Sequence, residues 1–122
     1  LLVVTALIEF GAGAALVLAP ANAVVLLLGA PLETSAAMIL GRVTGIALLT
    51  IGLANWLAHY DAASRAARGL ITAMVLYNLG ATLILFWSGT CSQTAGVLLW
   101  PAVILHTAMT AWCITNLLRT KA

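Results

Sequence analysis

Five residues hold most of the chemistry available to this chain: Glu9, Arg42, Tyr77, Asn78 and His106. They stand in a sequence of 122 residues that is 64% apolar and only 7% charged. Glu9 lies in "ALIEFGAG", where every neighbour is apolar or glycine. A carboxylate in such a run either faces partners inside a helix bundle or lines a path for a proton, an ion or a small polar ligand. Arg42 offers a planar fork of donors that suits a carboxylate. Tyr77, Asn78 and His106 can fill the remaining donor and acceptor positions. Two readings stay open for this buried polar cluster. It is a structural network that fixes helix register, or it is a binding site.

Other chemistries find less support. One His, one Glu and one Asn make a weak ligand set, and Arg42 at the same depth repels a cation. Neither H-x-x-x-H nor C-x-x-C is present, so no metal is expected. No cofactor is predicted. His106 in "PAVILHTAM" leaves one opening, haem or pigment ligation. His59 belongs to the opposite end of the membrane, so one chain cannot supply both axial ligands. There is no nucleophile elbow, no phosphate-binding glycine loop and no pair of neighbouring carboxylates, so no enzyme is expected. Cys91 and Cys113 are 22 residues apart, about 30 Å along a helix, too far for a disulfide.

These residues need helices to position them. A soluble domain of this length carries about a quarter charged residues, and a transmembrane span needs about 20 apolar ones. Four spans are predicted, at about 1–19, 35–58, 69–87 and 97–118, with Thr34 or Ser35 capping the second. Pro20 stops the first. The apolar segment at about 22–32 is too short to span and reads as a loop or short helix on the membrane surface. "LAPANA" resembles a signal-peptidase site, but the preceding run is long for a signal peptide and contains Glu9. Leu1 already lies in a hydrophobic run, so the first helix is expected to begin upstream. One membrane domain, 1–122, accounts for the whole sequence.

Counted inward from the outer boundary, Arg42 lies about 10 Å deep, Asn78 and His106 about 14 Å, and Glu9 about 16 Å. Arg65 and Arg68 follow the second span, and Arg119 and Lys121 follow the fourth. The 20–34 and 88–96 connectors contain no Lys or Arg. The positive-inside rule then places both termini in the cytoplasm. A net charge of +2 with no basic run excludes a nucleic-acid footprint.

On the second span Met38, Gly41, Gly45, Leu48, Gly52, Asn55 and His59 share one face. Gly41 and Gly45 form G-x-x-x-G, and Asn55 can hydrogen-bond across the contact. This helix-packing face serves the bundle itself or docks another protein's helix. On the fourth span His106, Thr110, Cys113 and Asn116 form a mildly polar stripe of the same kind.

The pieces "E…G…P", "R-V-T-G" and "L-L-W-P…H", spread over nearly the whole chain, resemble small four-helix bacterial membrane proteins of unassigned function, DoxX-like in broad pattern. Glu9 in the first helix is also similar to the essential glutamate of small multidrug resistance transporters. Arg42 and the one-sided basic bias depart from that second pattern. The expectation is an all-α, four-transmembrane-helix bundle in the bacterial inner membrane. Its expected role is a non-catalytic accessory or scaffolding subunit of a larger membrane complex, in contact with other subunits or its own copies. The alternative is a small-solute, proton or ion carrier using the cluster around Glu9.

Overall fold

The computed structural model describes residues 1–92 and 94–119, all of them in helices and their connectors. Lys121, one of the four cations behind the orientation argument, lies outside the described residues. Five helices follow one another: α1 (Leu2–Leu18), α2 (Pro20–Leu28), α3 (Ser35–Ala58), α4 (Arg65–Thr90) and α5 (Leu99–Arg119). A short 3-10 turn, His59–Asp61, joins α3 to the loop before α4. α3, α4 and α5 are each long and apolar enough to cross a membrane, and the bent pair α1 and α2 makes a fourth candidate. Large apolar side chains cover their outer faces, among them Ile39, Leu40, Ile46, Leu83 and Ile104. So much continuous apolar surface suits lipid and not water.

Local chemistry sets the helix ends. Ala19 leaves the helical region (φ −139°, ψ 60°), as the residue before a proline tends to. Pro20 then opens α2, where its missing N–H costs nothing. The two helices meet at a bend of 117°. The 22–32 segment therefore contains a true helix, and it tips back toward the bundle instead of lying square to α1. Gly29 ends α2 in the left-handed region (φ +72°), which glycine adopts without steric cost. Thr34 caps α3 by accepting the Ala37 N–H at 3.1 Å, and Ser64 caps α4 by accepting the Ala67 N–H at 3.0 Å. That second cap starts α4 four residues before the expected boundary at 69 and draws Arg65 and Arg68 into its first turn. At the other end Ser88, Gly89 and Thr90 read as a loop but remain helical, with the Thr90 hydroxyl donating to the Phe86 carbonyl at 2.8 Å.

The helices pack as two antiparallel pairs. α1 lies on α3 with glycine against glycine. A Cβ on Gly45 would fall 2.8 Å from the Gly13 carbonyl oxygen, and one on Gly13 equally close to that of Gly45. One end of the interface is continued by Gly52 against Ala6 and Phe10. On this side of α3, Gly45, Gly52 and Asn55 are buried and Gly41 is partly buried beside Pro20 and Leu32, with α1 packed against Gly45 and Gly52. Asn55 departs from expectation. Its amide nitrogen donates to the Ile51 carbonyl of its own helix at 2.9 Å, and its oxygen is buried without a protein partner.

α4 lies on α5, with Gly89 against Leu99 and Trp100 at one end. At the other end Leu2 joins Ala67, Ile71, Met74 and Cys113 in the buried apolar core, which ties α1 to the second pair. α2 closes the opposite end. The Gly96 N–H donates to the Leu27 carbonyl at 3.1 Å and the Leu98 N–H to the Leu26 carbonyl at 2.9 Å. Carbonyls that a helix end leaves unpaired are satisfied in this way. Gly96 is required there, because any Cβ would run into the Leu26 carbonyl. The middle of the bundle, between the two pairs, is left open.

Candidate functional site

Glu9 projects into that opening from α1 and is 2% exposed. Tyr77 of α4 lies beside its carboxylate, close enough for the two groups to interact. Tyr77 also meets His106 of α5 edge-on, with ring centroids 5.7 Å apart at 82°. His106 Nδ1 is 2.8 Å from Asn78 Oδ1. Asn78, itself 2% exposed, donates its amide hydrogen to the Met74 carbonyl at 2.8 Å. Four of the five residues singled out in the sequence therefore form one connected group across three helices.

Arg42 does not join them. It is exposed on α3, and Thr44, two residues on, lines the cavity described below. Two residues turn an α-helix by about 200°, so Arg42 points to nearly the opposite side. Rotation about the helix axis separates Arg42 from Glu9, and so does an axial offset of about 10 Å, since Gly45 lies level with Gly13. On the fourth-span stripe Cys113 is buried, and the Thr110 hydroxyl bonds the His106 carbonyl at 2.8 Å. Both cysteines are free, Cys91 exposed and Cys113 buried. At the far end of α3, His59 bonds the Trp56 carbonyl through Nδ1 and stacks on Tyr60. It lies outside the cluster.

Glu9, Tyr77 and His106 open onto a cavity of about 700 Å³, within the range that holds drug-sized ligands. Its other walls are aliphatic, with Leu16 from α1, Leu48 from α3, Ile84 and Leu85 from α4 and Leu105 from α5. Thr44 is a further polar residue in the lining. The polar groups sit at the end nearer the Leu2 core, and Leu27 of α2 lines the other. From Glu9 to Leu16 along α1 the cavity runs about 10 Å.

The sequence reading missed this space. Its signal was a set of small residues, Ala12, Gly80, Ala81 and Ala102, at the level of the polar cluster on three helices. A Cβ added to Gly80 would touch nothing within 4 Å. Among the described residues no group of three His, Cys, Asp or Glu side chains could hold a metal ion.

Comparisons with protein-family models, with curated proteins and with solved structures find no match for this chain.

Proposed function

We propose that the protein is an integral membrane protein that binds or carries a small solute in the cavity between its two helix pairs. The observation that carries this reading is the convergence of a carboxylate, a phenol and an imidazole on one end of an otherwise aliphatic cavity. A buried carboxylate without a cationic side chain beside it is costly to keep, and here it faces room for a ligand. In this reading the chain crosses the bacterial inner membrane four times with both termini in the cytoplasm. Arg65, Arg68 and Arg119 lie at the cytoplasmic end, and α2 closes the outer one.

The accessory-subunit reading drew on the glycine face of α3. α1 packs on that face, and the convergence of polar groups on the cavity favours the carrier reading.

The test uses decylamine as probe and native mass spectrometry of the protein released from nanodiscs. The unsubstituted protein retains it. Glu9→Gln keeps the shape of the side chain and should lower retention about tenfold, the loss expected for one charge-assisted hydrogen bond. Gly80→Leu places a bulky side chain in the cavity with room for its Cβ and should abolish retention. Undiminished retention in Gly80→Leu would remove the cavity from the proposal.

A further inference from the structure

We infer that the ligand is an apolar molecule whose head donates a hydrogen bond, a hydroxyl or an amine on an aliphatic body. This rests on the cavity reading above and follows from the direction of each hydrogen bond around His106. The Met74 carbonyl can only accept, so the Asn78 group facing it is the amide nitrogen. Asn78 therefore turns its oxygen to His106, 2.8 Å from Nδ1. An amide oxygen can only accept, so Nδ1 carries the hydrogen. In the neutral ring Nε2 is then left with a bare lone pair.

The other polar groups at this end of the cavity have the same character. Tyr77 lies beside Glu9, and its hydroxyl oxygen can accept a hydrogen bond. When ionised, the Glu9 carboxylate accepts through both oxygens. Among the described residues no Lys or Arg lines the cavity. Its polar end is thus a set of acceptors waiting for a donor. A ligand whose head only accepts, such as an ether or an ester, leaves these groups desolvated and unpaired, which is more costly than a missing attraction. The remaining walls are aliphatic over about 10 Å, so the body of the ligand lies toward Leu27 and α2. Asn78 touches no ligand in this arrangement. It is a positioning residue that holds the acceptor face of His106 toward the cavity.

The experiment photolabels the full chain in nanodiscs with three probes that carry the same diazirine-bearing decyl tail: the alcohol, its methyl ether and the amine. Labelled peptides from α1, α4 and α5 report occupancy of the cavity. The alcohol should label these peptides about tenfold more than the ether. Asn78→Leu should erase that preference while tail labelling persists. Nitrogen NMR of the His59→Gln protein, which leaves His106 as the one histidine of the two in the chain, should show the Nδ1–H tautomer. Asn78→Leu should shift it. Equal labelling by alcohol and ether at the cavity overturns the donor-head inference and leaves the cavity reading standing. Labelling by the amine alone overturns it in favour of selection by charge. An Nε2–H tautomer in the unliganded protein overturns it as well. Failure of all three probes to label the cavity overturns the cavity reading itself.

Discussion

A carboxylate buried in an apolar helix needs either a cation or hydrogen-bond donors to replace its lost water. Glu9 has Tyr77 beside it and faces a cavity, while Arg42 points away from it. The expected consequence is energetic independence. In a double-mutant cycle on thermal or denaturant unfolding, Glu9→Gln and Arg42→Met should add to within about 0.5 kcal/mol, as uncoupled sites do. A coupling above about 1 kcal/mol would mean that the two side chains meet. The residue types of the cluster were legible in the sequence, since strongly polar groups are rare in such a chain. Their partnerships were less so. Depth follows from counting residues, but contact also needs the rotation of each helix. The glycine face of α3 held that information. Arg42 is about 100° from Gly41 around the helix, already off the face that packs on α1.

Among the elements, the α1–α3 pair depends on its glycines most directly. At Gly45 the nearest atoms to an added Cβ are the Gly13 carbonyl oxygen and the Val17 backbone and side chain, so the helices must separate to admit a methyl group. Gly45→Ala should therefore destabilise the protein by about 1–3 kcal/mol, the usual range for overpacking. Gly69, exposed in the first turns of α4 with nothing within 4 Å of an added Cβ, supplies the control. Gly69→Ala should be neutral or up to about 1 kcal/mol stabilising, because alanine favours a helix over glycine. Unfolding in mixed micelles measures both, and an unchanged Gly45→Ala protein would contradict the close contact. The elements were the most legible level. The capping threonine and the length of α3 were both visible, and its boundaries match. The ends of α4 were not. Ser88, Gly89 and Thr90 have the composition of a loop, but hydroxyls that bond back into the helix keep it going, as Thr90 does with Phe86.

For the whole molecule, the proposed orientation makes the two cysteines reporters. Cys91 is exposed at the end where α2 and the 91–98 connector meet, and Cys113 is buried among α4 and α5. A membrane-impermeant maleimide added to intact cells should label Cys91. Cys113 should react only after unfolding. Labelling of Cys91 only in inverted membrane vesicles would reverse the topology and leave the fold as described. The cavity is a whole-molecule property too, and for that reason the sequence showed only its parts. Four helices and the turned-back α2 each give it one wall, and no local pattern encodes a space.

The contact between α2 and the 96–98 strand of backbone also bears on how the protein is made. Leu26 and Leu27 leave the ribosome roughly seventy residues before the N–H groups of Gly96 and Leu98 that pair with their carbonyls. Until then the folded-back helix has an unfinished end, and α3 and α4 must insert around it. Closure of the bundle therefore waits for Gly96 and Leu98 to be made, and a nascent chain cut short before Gly96 would carry all the side chains of the polar cluster except His106 but not the backbone clasp that holds α2 at that end.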